Sequence, residues 1–448
     1  MKDTDQPDAP PNLETIIETA LDEARRLGVD QAEVAASVDS GLSVTARLGD
    51  VENLEYTNDR GIGVTVYSQR RKGSASTSEL NPDAIREAVR KAASFAKYTA
   101  VDECGGLADA ALMARDEVDL DLDLDHPWSL EVEAAIELAV ACESAGRETD
   151  TRITNSEGAT VASNRGVYAY GNTHGFFGEY ARTSHSITCV LLAEHNGSME
   201  RDYHYSAARA ADELEAPDAI GREAARRTLR RLGAEKPATT NAPVLFVPEL
   251  ARGFVGHAVN ALLGGAQYRK SSFLLDARGE RLLPDFVTIA ERPHIARGMA
   301  SAPYDDEGVG TWDRDIVKDG VIEDYILSSY SARRLGRETT ANAGGPQNLV
   351  VSANADGLDE LLSEMGTGLL VEELIGQGVN TVTGDYSRGA VGHWVENGKI
   401  RNPVHEITIA GNLRDLYGRI ERIGRDRDLR GSIRCGSLLV GEMTIAGA

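Results

Sequence analysis

Apolar residues recur at three-and-four spacing over residues 13–27, where Leu13, Ile16, Ile17, Ala20, Leu21 and Ala24 share one side and Gly28 ends the run. That pattern predicts an amphipathic helix. The period then changes to two. Short runs rich in Val and Thr at 32–38, 42–48, 61–67 and 72–77 are separated by Gly, Asp and Asn, and they predict strands joined by turns. Asn81-Pro82 opens a second helix through Lys97, with Ile85, Ala88, Val89, Ala92 and Phe95 on one face. A helix, a set of antiparallel strands and a helix predict an α+β domain over 12–100.

Residues 101–125 read as a connection. At its end, 117–125, acids alternate with Val118, Leu120, Leu122 and Leu124, which predicts an edge strand. A cation site is the weaker alternative there, because the run has neither the glycine nor the ligand spacing of a calcium loop. A second α+β domain is expected over 126–233: a helix at 127–148, strands at 153–163, 167–173, 178–194 and 201–206, and a closing helix at 216–232. Tyr168, Tyr170, Phe176, Phe177 and Tyr180 mark the middle strands as packing residues, some of which could line a groove.

A polar linker at Lys236-Pro237 leads into a third domain, 238–448. It begins with a buried strand at 244–247 and a helix from Pro248, since proline suits the first helical position. The remainder is mostly strand and turn, including 389–395 and 406–410, with helical spacing at 357–364, 371–375 and 412–419. The fold class expected is α+β: N-terminal and central α/β modules followed by a large, mainly antiparallel β C-terminal domain.

The 448 residues carry a formal charge of −24, with 47 basic against 71 acidic side chains. A surface this acidic on balance repels a polyanion, so nucleic-acid binding is excluded as a primary role. Only eight of the basic residues are lysines and 39 are arginines. Excess carboxylate with scarce lysine points to the cytoplasm of a halophilic archaeon, where molar salt shrinks the Debye length to ~3 Å and damps self-repulsion. No run of about 18 apolar residues occurs, so no membrane span is expected. The first eleven residues are polar and dotted with proline, without an apolar leader core, and a cytoplasmic protein is expected. The four cysteines lie far apart with no Cys-x-x-Cys pair, which argues against a zinc ribbon or a disulfide framework.

The common catalytic signatures are missing: no Gly-x-Ser-x-Gly elbow, no phosphate loop, no dinucleotide fingerprint and no His-Glu-x-x-His. What remains is a dense block in the third domain, with His257 on its helix. Pro248-Glu249-Leu250-Ala251-Arg252-Gly253-Phe254-Val255-Gly256-His257, the pair Gly264-Gly265 and Tyr268-Arg269-Lys270-Ser271-Ser272-Phe273-Leu274-Leu275-Asp276 stand in order. Ser301-Ala302-Pro303-Tyr304-Asp305-Asp306-Glu307-Gly308, 328–335, Ala343-Gly344-Gly345, 376–390, 395–400, 407–413 and Cys435-Gly436-Ser437 follow. In this combination the chain resembles the TldD/PmbA family, and within it the PmbA or TldE branch.

The resemblance implies a metallopeptidase setting. TldD-type members carry His-Glu-x-x-x-His on this helix and a cysteine near the C-terminus, which resemble zinc ligands and a glutamate base. With His257 matched to the second histidine, the first histidine and the glutamate fall on Arg252 and Gly253. Zinc catalysis needs about three protein ligands, an open position for water and a carboxylate base. Here only His257 and Cys435 remain as metal candidates, and an unpaired guanidinium at Arg252 would repel a dication. Residues five apart also lie roughly 140° apart around an ideal helix, so the motif itself needs a bent helix.

Structural readings stand beside each candidate: His257 as a satisfied helix histidine, Cys435 as a small buried side chain. A Cys435–His257 nucleophilic pair is a further reading. Asp305-Asp306-Glu307-Gly308 reads as a surface turn, since consecutive carboxylates point to alternate sides. Gly264, Gly265, Asp385, Tyr386 and Arg388 are expected to line a substrate chamber. The resemblance implies a non-catalytic TldE-type subunit, without its own cofactor, that pairs with a zinc-bearing TldD-type peptidase acting on peptides or unfolded proteins. A homodimer is the alternative assembly. Other readings are a self-sufficient metallopeptidase completed by His174, His294 or His393, and a regulatory protein acting through protein partners, the family also being described as modulating DNA gyrase.

The charge balance generates a test. Urea or thermal melts over a salt series are expected to show stability rising toward molar salt; stability independent of salt would sink the halophile expectation.

Overall fold

The computed structural model describes residues 12–447. Helix α1 (Leu13–Leu27) is capped by the Asn12 side chain, which accepts the Thr15 N–H at 2.9 Å, and stops at Gly28, whose φ of 72° suits glycine. Strands β1 (Gln31–Arg47), β2 (Asp50–Ser68) and β3 (Arg71–Thr77) follow, then α2 (Pro82–Ala96), capped by Asn81. Further on come α3 (Val132–Arg147), β4 (Ile153–Asn172), β5 (Phe177–His195), β6 (Ser198–Ala208) and α4 (Pro217–Arg230).

All six strands form one antiparallel sheet in the order β3-β2-β1-β4-β5-β6. β1 runs beside β4 from Glu33 opposite Asn172 to Ala46 opposite Ala159. Strict alternation decides the rest. Ala32, Val34, Ala36, Val44 and Ala46 all point to one face, where α1 and α2 cover one end and α3 and α4 the other. The opposite face carries Ala35, Ser37, Gly63 and Thr65 and is partly open.

The runs expected as separate strands at 32–38 and 42–48 are one strand. Asp39-Ser40-Gly41 looks like a turn, yet it is paired on both sides. A Cβ on Gly41 would lie 2.3 Å from Asn164 Oδ1, and one on Gly166 would lie 2.4 Å from Asp39 Oδ1. Each glycine therefore makes room for a polar side chain reaching across from the neighbouring strand. The true turn is Leu48-Gly49, with φ of 53° and 86°. Its two N–H groups donate to the buried Glu143 carboxylate on α3, at 2.8 and 3.0 Å.

The segment predicted as an edge strand at 117–125 is not one. It opens with a 3-10 turn at Asp116–Asp119. Leu122 and Leu124 are buried as the alternation implies, but their carbonyls accept from two different places, the N–H of Arg297 and of Thr183, both at 2.9 Å. The segment thus bridges the N-terminal sheet and the C-terminal region.

The C-terminal region comprises β7 (Thr240–Phe246), α5 (Pro248–Ala261), α6 (Gly264–Tyr268), β8 (Ile289–Glu291), β9 (Arg314–Lys318), β10 (Val321–Ile322) and α7 (Ser329–Leu335). It continues with β11 (Leu349–Val351), α8 (Leu358–Met365), β12 (Gly368–Ile375), β13 (Asp385–Glu396), β14 (Lys399–Asn412) and α9 (Leu413–Gly418). Strands β15 (Ile420–Ile423), β16 (Ile433–Arg434) and β17 (Leu438–Ala446) complete it. One sheet runs β14-β13-β12-β7-β17-β15, and β14 also pairs with β17, so these strands close on themselves. Closure removes unpaired edges. A smaller sheet, β10-β9-β8-β11-β16, lies beside it, and one apolar core with α5 joins the two.

Helical spacing at 371–375 is overturned: these residues belong to β12. A bulge between Val371 and Glu373 breaks the two-residue period, so the local pattern imitates a helix. The bulge lets Glu372 reach Arg230 at 3.0 Å and Glu373 reach Arg231 at 2.6 Å. Among the described residues no helix is long and apolar enough to cross a membrane.

Arg209 joins the N-terminal sheet to the C-terminal region. It is buried, and its guanidinium donates to the carbonyls of Thr183 at 2.7 Å and Met299 at 2.8 Å. Removing a charged donor from buried acceptors costs about 2–3 kcal/mol. Arg209→Ala is therefore expected to lower the urea midpoint clearly, and Arg209→Lys to recover little because a point charge cannot serve both carbonyls. Equilibrium unfolding checks both.

Candidate functional site

Helix α5 leaves β7 at Val247, whose N–H donates to Val371, and Pro248 supplies the first helical position. Its buried stripe is Ala251, Phe254, Val255, Ala258 and Val259. Phe254 fixes the rotation. Its ring stacks on Phe246 at 5.1 Å, meets Tyr386 edge-on at 5.8 Å and lies 5.1 Å from Tyr417, while the Tyr417 hydroxyl donates to the Phe254 carbonyl at 2.8 Å.

With Phe254 inward, Gly253, Gly256, His257 and Asn260 form the open face. A Cβ on Gly253 would meet nothing, and one on Gly256 only the Ile433 side chain at 3.5 Å. Each mid-helix glycine costs about 1 kcal/mol relative to alanine, so the sequence gives up helix stability here to keep a trough free of side chains. Tyr386 of β13 packs against His257 from beneath, the charge of Arg388 two residues on acts on the same imidazole, and Ile433 of β16 borders Gly256. Beyond Asn260 lies a cleft of about 510 Å³ lined by Gly264, Gly265, Ser328, Tyr330 and Gly344.

The chamber residues expected from sequence divide accordingly. Gly264 and Gly265 line the cleft, and Gly264 also lets α6 touch α7, since a Cβ would stand 2.3 Å from Ser331 Oγ. Tyr386 is buried beneath the trough and Arg388 is half-buried beside it. Asp385 points to the other side of β13, where its carboxylate accepts from Thr383 Oγ1 at 2.6 Å. Asn260, in the last turn of α5, and Ser328 and Tyr330, at the start of α7, are not singled out by the sequence: a polar residue at a helix end gives no signal of facing a cleft.

The first turn of α5 is fixed by charge. Arg252 is paired, not free: its guanidinium lies 3.0 Å from Asp428 and donates to the Tyr205 hydroxyl at 3.1 Å. Asp428 also accepts from Arg430 at 2.8 Å, and Arg430 bonds Glu249 at 2.8 Å with its guanidinium 4.2 Å from the Tyr205 ring centroid. Burial opposes ionisation of Asp428, but the Arg430 hydrogen bonds and the Arg252 charge hold its carboxyl below the usual range. The premise of an unpaired guanidinium at this position is thus corrected. Neutralised by Asp428, Arg252 occupies the space where the resemblance puts a ligand.

A zinc ion does not fit the residues present. His257 is half-buried, touches the Tyr386 ring edge-on at 6.0 Å and makes no hydrogen bond among the described residues. Burial and then the Arg388 charge push its pKa down, leaving it neutral. Cys435 is fully buried and burial pushes its thiol up to about 12, which opposes both a thiolate ligand and a nucleophile. The other histidines are placed elsewhere. His393 is bonded to Glu372 at 2.5 Å and to the Arg230 carbonyl, His294 to Thr311, and His174 is exposed in the turn before β5. Among the described residues no three His, Cys, Asp or Glu side chains form a metal-binding group.

The turn at 305–308 forms, closed by Gly308 at φ 77°, and its carboxylates divide as consecutive residues should: Asp306 is exposed at the surface, while Asp305 is buried. Asp305 is only 2% exposed and accepts from the N–H groups of Glu307, Val309 and Ala343 at 2.9 to 3.0 Å. Burial and the Glu307 charge push its pKa up to about 7, against the pull of those donors. It holds the Ala343-Gly344-Gly345 loop that borders the cleft.

Arg252→Ala would leave the Asp428 carboxylate, 1% exposed, short of one partner. Breaking a buried pair costs roughly 3 kcal/mol. The variant is expected to unfold at lower urea, and the far-UV spectrum of the folded state should remain unchanged.

Three family models match: the PmbA/TldA metallopeptidase domain 1 over residues 32–96, the central domain over 125–232 and the C-terminal domain over 239–447. The Metalloprotease PmbA of Escherichia coli O157:H7 is 50% identical over 97% of this chain and 96% of its own length. The Metalloprotease PmbA homolog of Haemophilus influenzae is 46% identical over 97% of this chain and 96% of its own. A crystal structure from Bacteroides thetaiotaomicron, described as a candidate modulator of DNA gyrase, superposes with a TM-score of 0.92 at 28% identity, over 98% of this chain and all of that one. TldE from Thermococcus kodakarensis shares the fold, with a TM-score of 0.82 at 17% identity over 97% of this chain and all of that one. Sequence and fold together show that this chain belongs to the PmbA/TldD family of metalloprotease-related proteins, in its PmbA branch.

Proposed function

We propose that this chain is the TldE-type, non-catalytic subunit of a two-component cytoplasmic peptidase, in which a TldD-type partner carries zinc. The reading rests on Arg252. A guanidinium neutralised by Asp428 at 3.0 Å stands where a ligand is needed, and no carboxylate follows it at Gly253. Without a base or a third ligand there is no means to lower the pKa of a water and take its proton. What the α5 surface can do is hold chain: its trough is floored by glycine, where a peptide backbone can approach closely. In the assembly this subunit contributes a wall of the chamber and positions an extended peptide or unfolded segment.

One observation favours a second reading. A relative half identical to this chain bears the name metalloprotease, which is consistent with a self-sufficient enzyme using a divergent metal site. Metal content and peptide hydrolysis, measured on the purified chain alone and after mixing with a TldD-type protein, separate the two. Cleavage only in the mixture, with zinc tracking the partner, is expected. Stoichiometric zinc and hydrolysis by the single chain would refute the subunit reading. A heterodimer is expected by size-exclusion chromatography with light scattering, run at low and molar salt.

A further inference from the structure

Most of the arginines around α5 are matched. Arg227 and Arg430 meet Glu249, Arg231 meets Glu373, and Arg252 meets Asp428. Two are not: Arg434 of β16, whose buried Nε has only the Arg427 charge nearby among the described residues, and Arg388 of β13. Among the described residues Arg388 has neither an ion pair nor a hydrogen bond, and its Nε is buried without a partner. A half-desolvated guanidinium without a counter-charge is costly, and the cost is relieved when an anion arrives. Acids are abundant in this chain, yet among the described residues none is paired with Arg388.

Its neighbours are also polar groups without partners. Tyr386 stands two residues earlier on β13, so alternation puts both side chains on the same face. Tyr386 is 1% exposed and its hydroxyl has no partner among the described residues. The Tyr386 ring touches His257, which also makes no hydrogen bond among the described residues. The charge that bears on both is the Arg388 guanidinium. Asp385, on the opposite face of the strand, is engaged with Thr383.

We propose that Arg388, with His257 beside it, is a carboxylate-binding subsite at the wall of the α5 trough, which takes the C-terminal carboxylate of an extended peptide. This deepens the reading of the trough as a peptide-holding surface and rests on it. The guanidinium donates in a fork to the carboxylate, the neutral imidazole donates a single N–H, and the Tyr386 ring packs beneath them.

Binding to the full-length chain, without the partner, tests this by fluorescence anisotropy with three labelled peptides of one sequence: the free acid, its C-terminal amide, and the amide with one internal Glu. The free acid is expected to bind about tenfold tighter than the plain amide, equivalent to one charge-assisted contact. Arg388→Met should erase the difference and Arg388→Lys restore part of it. Tighter binding of the Glu-bearing amide than of the free acid overturns the assignment to the C-terminal carboxylate. Equal binding of acid and amide by the unmodified chain overturns the subsite and leaves the peptide reading intact. Absence of binding by all three overturns both. The comparison on the unmodified chain stands even if a variant fails to fold.

Discussion

The burial of Phe254 is the constraint on which the site depends. An amphipathic helix has one rotation that hides its apolar stripe, and here that rotation is locked by contacts with Phe246, Tyr386 and Tyr417. Once Phe254 points inward, Gly253 and Gly256 face away from the core, and His257, three residues on, sits at the edge of the buried stripe against Tyr386. The same contact ties the helix to β13, so the strand that carries Arg388 is held against the helix that carries His257. Rotating α5 by one residue would bury Gly253 in place of Phe254, leave a cavity in the core and close the trough.

Electrostatics acts here at close range. A net charge of −24 describes the surface as a whole, while the first turn of α5 is held by an alternating chain, Glu249, Arg430, Asp428 and Arg252. Arginine suits that role because its planar fork can serve two acceptors at once, as Arg430 does. The heavy use of arginine over lysine therefore has a structural consequence in this fold whatever the salt of its environment. It also makes Arg388, unpaired among the described residues, conspicuous beside the matched arginines at the first turn of α5.

The helices were legible where an apolar stripe, a cap and a stop coincided, as in 13–27 with Asn12 and Gly28. Strand identity was legible too, but strand ends were not. Asp39-Ser40-Gly41 carries every local mark of a turn, and only the Asn164 side chain crossing Gly41 explains why the chain runs straight through. The stretch at 371–375 imitates a helix because a bulge disturbs its alternation. At 117–125 the burial of Leu122 and Leu124 was legible and the strand was not, since alternation specifies which side is buried but not whether a neighbouring strand is available.

Sequence alone determined the elements of α5, its glycine-rich face, the absence of a histidine and glutamate at Arg252 and Gly253, and the family resemblance, because these are properties of residue order and local period. Tertiary structure decided the partners. That Arg252 is neutralised by Asp428 and that the Arg388 charge acts on His257 depend on residues 176 and 131 positions apart being brought together by packing, and the sealing of Cys435 in the core depends on packing too. Local sequence cannot encode such pairings, since the free energy that selects them comes from closing the whole core at once.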